Sequence, residues 1–204
     1  MSVIILGYRV KKLLAGAPGR ARHGIKHRLA RLVCALTIVL LSACDERGNG
    51  KLGVGDLFPL DSLAELALQS DRNLDLKAKT LVVNFWATWC TPCRKEMPEL
   101  QRLSDSMDKS RFSVIGVSVD EDKNLVREFL LQQEIHFANY LDTEQRLAKD
   151  LLDIRAFPET FIISPGGIII RRIVGEQLWD SKAVHVLLES IHHGKAPIPD
   201  SITG

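Results

Sequence analysis

From Gly53 onward, short apolar runs alternate with stretches whose apolar residues fall three and four positions apart. Thr80–Trp86 (TLVVNFW) is apolar and β-branched, which predicts a buried strand. Between Pro92 and about Asp108, the spacing of Met97, Leu100, Leu103 and Met107 predicts one face of a helix. Phe112–Val119 (FSVIGVSV) predicts a second buried strand. Asn124–Gln133 predicts a helix with Leu125, Phe129 and Leu130 on one face. A short strand over His136–Leu141 and a helix over Thr143–Leu151 follow. Thr160–Ile163 and Ile168–Val174 flank Ser164-Pro165-Gly166-Gly167, which predicts a hairpin with a glycine-containing turn. Ser181–Ile191 predicts a closing helix, with Asp180 or Ser181 as its N-cap. Strands alternating with helices, then a hairpin and a last helix, predict an α/β domain. Its central sheet is mixed, parallel among the early strands and antiparallel at the hairpin, with helices on both faces.

The N-terminal part breaks this pattern. LVCALTIVLLSAC, residues 32–44, runs thirteen residues without a charge, directly after Arg20, Arg22, Lys26, Arg28 and Arg31. A basic stretch, a short apolar run and then small residues predict a secretory signal. The run is shorter than the roughly 20 residues of a membrane-spanning helix, although the segment before it is long for such a signal. Leu41-Ser42-Ala43-Cys44 resembles the bacterial lipobox, which implies cleavage before Cys44 and lipidation of that cysteine. Asp45 in second position then implies retention at the inner membrane. The expected organisation is a signal peptide over 1–43, a flexible tether over 44–52, one domain over 53–193 and a frayed tail over 194–204.

Composition adds three exclusions. The chain has 204 residues, 46% hydrophobic and 25% charged, which is neither disordered nor disulfide-dense. The formal charge of +2 hides a split: eight of the 27 Lys/Arg lie in 1–43, which holds no Asp or Glu. A chain starting at residue 44 keeps 19 basic against 25 acidic residues, a balance near −6 that argues against nucleic-acid binding. With Cys34 in the leader and Cys44 lipidated, Cys90 and Cys93 are the remaining pair.

That C-x-x-C follows a predicted buried strand and opens a predicted helix. Unpaired backbone N–H groups and the positive end of the helix dipole favour a thiolate there. Cys90 comes first and is the expected attacking sulfur, and Cys93, inside the first turn, is placed to resolve a mixed disulfide. Pro92 suits a helix start, where its missing N–H costs nothing. Zinc would need four ligands; there is no second cysteine pair, and His136, His185, His192 and His193 are scattered. A copper carrier using the two thiols as soft ligands stays open, without a Met-rich path to support it, since the methionines are Met1, Met97 and Met107.

The string N-F-W-A-T-W-C-T-P-C-R-K-E-M-P from Asn84, with Gly55-Asp56-Leu57-Phe58-Pro59 and Phe157-Pro158-Glu159-Thr160-Phe161, resembles the TlpA/ResA/CcmG group. These are membrane-anchored, thioredoxin-like thiol-disulfide oxidoreductases of the bacterial cell envelope. The resemblance covers about Gly53 to Ile191 and implies a thioredoxin-like fold. It implies that Pro158 is cis and lies against the cysteines, with the backbone beside it receiving an extended client segment. Glu96, one helical turn after Cys93, matches an acidic residue of the ResA and CcmG branches; a carboxylate there opposes thiolate formation and moves protons. Trp89, Thr91, Pro92, Phe157 and Glu159 are the expected client-binding residues. Glu159 after the proline resembles the cytochrome c maturation branch, whereas Pro98 and the lipobox fit the broader TlpA/ResA type. Peroxidases of this fold place Pro seven and Thr three residues before the cysteine, positions held here by Val83 and Ala87. With Thr-Pro between the cysteines and no His to hold a thiolate, the expectation is a disulfide reductase. It would need no cofactor or metal, would be fed by a transmembrane thiol-disulfide donor, and would serve apocytochrome c or copper-site cysteine pairs. A disulfide-forming oxidase is the opposite reading of the same pair.

Overall fold

The central strand β1, Thr80–Trp86, is buried at all seven positions, so both faces of the sheet are covered where it runs. The computed structural model describes residues 51–66 and 76–195. The chain divides into two units, Met1–Asn49 and Gly50–Gly204, and every described residue belongs to the second. The expected signal peptide, Cys44 and nearly all of the tether and tail lie outside the described residues.

In chain order the elements are α1 (Leu60–Glu65), β1, α2 (Thr91–Ser106), β2 (Phe112–Ser118), α3 (Lys123–Gln132) and β3 (Ala138–Leu141). A π-helical turn (Arg146–Leu151), β4 (Glu159–Ile163), β5 (Ile169–Val174) and α4 (Lys182–His192) complete them. The sheet order is β3-β2-β1-β4-β5. β1, β2 and β3 are parallel neighbours, while β4 is antiparallel to both β1 and β5. This is an α/β thioredoxin-like fold with the mixed sheet that the alternation predicts.

Local chemistry explains the boundaries. Asp122 caps α3 by accepting from Asn124 N, and Ser181 caps α4 by accepting from Val184 N. Gly167, at φ +81°, closes the β4–β5 hairpin, where its amide donates to Ser164 O. α2 runs through Pro98, whose ring nitrogen has no hydrogen to return to the preceding turn.

Two expectations need correction, and one element was not expected. On α3 the buried residue is Val126, while Leu125 is exposed; Phe129 stacks on Trp86 at 5.2 Å. The helix expected over Thr143–Leu151 begins later and is wound wider. The Asp142 carboxylate takes the amide of Ala148, and Gln145 sits at φ +55°. Finally, α1 is too short to show a period and is held by Leu63, fully buried.

The sheet also has a close-packed point at the C-terminal end of β1. Trp86 donates through Nε1 to Asn139 Oδ1 at 3.0 Å, and Asn139 donates through Nδ2 to Phe137 O. Both side chains lie over Gly116, where a Cβ would stand 2.0 Å from Asn139 Oδ1 and 3.0 Å from Trp86 Nε1. Gly116→Ala must break this buried hydrogen bond. The expected cost is about 2–3 kcal/mol, read as a lower urea midpoint with unchanged m-value.

Candidate active site

β1 ends at Trp86 and the chain turns through Ala87-Thr88-Trp89 into α2. That turn is tied to the end of β2: the Asp120 carboxylate accepts from Thr88 N at 2.9 Å, Thr88 Oγ1 at 2.7 Å and Ser118 Oγ at 2.7 Å. Cys90 is thereby set at the N-cap of α2, its sulfur accepting from Cys93 N at 3.3 Å. Cys90 and Cys93 are joined as a disulfide, with Cα atoms 5.2 Å apart. Cys93 is fully buried and Cys90 keeps a sliver of surface, 6%.

Trp89 is exposed and meets Phe157 edge-on, with ring centroids 5.9 Å apart, which brings the β3–β4 connection to the cysteine loop. The Phe157–Pro158 bond is cis. Thr91 is exposed and Pro92 half-buried on the same turn. Glu159 is placed differently from the expectation of a client-facing side chain. It is 2% exposed and pairs with Arg172 of β5. Arg172 also donates to Asp153 O at 3.0 Å and lies over the Phe161 ring. The carboxylate therefore fixes the start of β4 rather than reaching a client.

Glu96 is the buried acid of the site, 1% exposed and one turn beyond Cys93 on α2. Asn84 Nδ2 of β1 donates to its Oε1 at 2.6 Å, and Trp179 Nε1 to its Oε2 at 2.9 Å. Gln177 N approaches Oε2 at 3.4 Å. Asn84 Nδ2 also donates to Thr160 Oγ1 at 2.9 Å. Burial pushes the Glu96 carboxyl up to about 7, and these hydrogen bonds pull against the rise while the nearby Glu176 charge adds to it. A carboxyl poised near neutrality can take and give a proton at ordinary pH.

The residues that hold Glu96, namely Asn84, Gln177 and Trp179, were not among the expected site residues, nor were Asp120, Arg172 and Thr160, the last of which accepts from Asn84. The available signal was polar residues inside apolar strands: Asn84 interrupts Leu81–Trp86, and Thr160 opens the apolar run of β4. Among the described residues no three His, Cys, Asp or Glu side chains gather as a metal site.

Residues 54–172 match the AhpC/TSA family. The chain is 30% identical over 144 residues to the thiol-disulfide oxidoreductase ResA of Bacillus subtilis, covering 71% of this chain and 79% of that protein. It is 31% identical over 148 residues to the protein of the same name in Oceanobacillus iheyensis, covering 71% and 76%. Among solved structures, a Chlorobium tepidum protein assigned as a thiol:disulfide interchange protein DsbE superposes with a TM-score of 0.57 at 21% identity. That match covers 70% of this chain and 99% of the other and supports the fold.

The raised Glu96 carboxyl has a consequence for stability. Between its ordinary value of 4.5 and about 7, the folded protein holds a proton that the unfolded chain has released. The contribution of Glu96 is thus complete below pH 4.5, falls as pH rises and is gone above about 7. Between pH 5 and 8 oxidised wild type should lose about 2–3 kcal/mol more than oxidised Glu96→Gln. Urea unfolding of both proteins at the two pH values checks this.

Proposed function

The chain belongs to the AhpC/TSA family and is a ResA-like thiol-disulfide oxidoreductase, and from that premise we propose that it reduces disulfides of client proteins in the bacterial cell envelope. The observation that carries this reading is the Cys90–Cys93 disulfide at the head of α2 with the buried Glu96 carboxyl one turn below it. This is the oxidised end of the cycle. In the reduced protein the Cys90 thiolate attacks one sulfur of a client disulfide. The client S–S bond breaks, a Cys90–client bond forms, and the leaving client thiolate takes a proton. Cys93, deprotonated, then attacks Cys90; the mixed disulfide breaks, Cys90–Cys93 forms, and the client leaves with two thiols and two electrons. Glu96, poised near neutrality, is the group assigned to accept the Cys93 proton.

The direction of flow rests on the same carboxyl. A strong oxidant owes its potential to a stabilised reduced form. Here the Thr91-Pro92 dipeptide offers no cation, and a negative charge at Glu96 disfavours a thiolate beside it. Trp89, Phe157, Thr91 and Pro92 form the expected client-facing surface, and the backbone beside Pro158 receives an extended segment. Residues 53–193 form the catalytic domain, carried on a tether from Cys44, which is lipidated and anchored to the inner membrane so that the domain faces the periplasm. Among the described residues no helix is long and apolar enough to cross a membrane. Electrons come from a transmembrane thiol-disulfide carrier, and the clients are cysteine pairs of apocytochrome c or of copper-site proteins.

Equilibration of the Cys90–Cys93 couple against glutathione buffers tests the direction. A reductase should fall below about −220 mV, and Cys93→Ser should then accumulate mixed disulfides through Cys90. A value nearer −120 mV, the range of a strong oxidant, would overturn it.

A further inference from the structure

Among the described residues every hydrogen-bond partner of the Glu96 carboxyl is a donor: Asn84 Nδ2, Trp179 Nε1 and Gln177 N. That cage suits a carboxylate and offers nothing to the O–H of a carboxylic acid. An indole N–H and a backbone N–H can only donate, whereas a carboxamide carries an acceptor on the same carbon as its donor. The acceptor of Asn84, Oδ1, is buried and has no hydrogen-bond partner among the described residues. Leaving a buried carbonyl oxygen unpaired carries a real cost, so its presence next to a titrating acid is unexpected in a group serving only as a donor.

Resting on the reading that Glu96 exchanges protons during the reaction, we propose that Asn84 is the positioning residue for that exchange. Its carboxamide presents Nδ2 to the Glu96 carboxylate and turns over to present Oδ1 when Glu96 is protonated. The geometry permits this with little movement. Nδ2 now sits between Glu96 Oε1 at 2.6 Å and Thr160 Oγ1 at 2.9 Å. After the turn, Oδ1 occupies that place and accepts from the Glu96 O–H. A separation of 2.6 Å lies within the range of an O–H···O bond. The Thr160 hydroxyl, which accepts from Nδ2 in one state, rotates and donates to Oδ1 in the other. The unpaired atom passes from Oδ1 to Nδ2, so neither state is fully satisfied and neither is favoured overwhelmingly.

The charged surroundings do not supply an alternative switch. On β1 the group facing Glu96 is the neutral Asn84, which is held in turn by the neutral Thr160 of β4. From the β5–α4 connection the groups are Gln177, Trp179 and the Glu176 carboxylate, which repels negative charge at Glu96. On α2 itself the preceding turn holds the cysteine pair.

The test uses the full oxidised chain in detergent, labelled with 13C and 15N, followed by NMR from pH 5 to 9. The Glu96 carboxyl carbon reports its proton, and the Asn84 side-chain amide reports the turn. In wild type the Asn84 amide signals should move with the same midpoint as the Glu96 carboxyl. Asn84→Leu, similar in shape and without hydrogen bonds, removes the charge-assisted donor. It should raise the Glu96 midpoint by about one pH unit, a tenfold gain in proton affinity. The pH profile of disulfide reduction should move with it. Asn84→Asp, which keeps an acceptor and loses the donor when charged, should also raise the midpoint. Asn84 signals that stay constant through the Glu96 titration would overturn the proposal. So would a Glu96 midpoint within a quarter of a pH unit of wild type in both variants. Glu96→Gln separates this from the premise: a reduction pH profile unchanged by that variant overturns the role of Glu96, while the NMR titration still decides for Asn84.

Discussion

Taking a carboxyl group out of water costs several kcal/mol unless it is neutral or well hydrogen-bonded, and at Glu96 that cost shapes everything around the cysteines. α2 must carry Glu96 inward because Cys93, Met97 and Leu100, which share its buried face, pack into the core. Once inside, the acid draws donors from Asn84 on the preceding strand β1 and, across the chain, from Gln177 and Trp179 in the connection before α4. Those contacts lock the head of α2 against the sheet. Burial, only partly offset by those contacts, leaves the acid titrating near pH 7, where it can hold a proton or release it.

The rest of the site is scaffolding for the same arrangement. Asp120 ties the Thr88 turn to β2, so the strand feeds Cys90 into the N-cap of α2 at a fixed angle. The Glu159–Arg172 pair pins the first residue of β4, next to the cis-proline. That pair is buried on its acidic side, and such pairs are costly to break because they leave an uncompensated charge. Three carboxylates, Glu96, Asp120 and Glu159, are thus buried around one disulfide, yet their duties differ. Asp120 and Glu159 are saturated with donors or a cation. Glu96 sits one helical turn from the cysteine pair, and burial raises its carboxyl against the pull of its donors.

How much of this was legible in the sequence follows from the range of the forces involved. β1 and β2 were readable because both faces are buried, leaving an unbroken apolar run. Cys90 and Cys93 were readable because strand, turn and helix N-terminus are adjacent in the chain. The phase of α3 was ambiguous, since Phe129 and Leu130 pack equally well with a period through Leu125 or through Val126. Only the sheet surface, with Trp86 waiting for Phe129, selects the latter. The π-helical turn depends on Asp142 reaching Ala148, a side-chain contact that apolar spacing cannot express. The Glu96 cage was hidden for the same reason: Trp179 lies 83 residues from Glu96, and Thr160 lies 76 from Asn84. The lasting hint was an asparagine in the middle of a buried strand.

The central claim is that a proton on Glu96 is coupled to the redox state of Cys90 and Cys93. The most direct test is the reduction potential of the couple measured as a function of pH in wild type and Glu96→Gln. Coupling predicts a change of slope near pH 7 in wild type that is absent from the variant. Two superimposable curves would contradict it and reduce Glu96 to a buried structural acid.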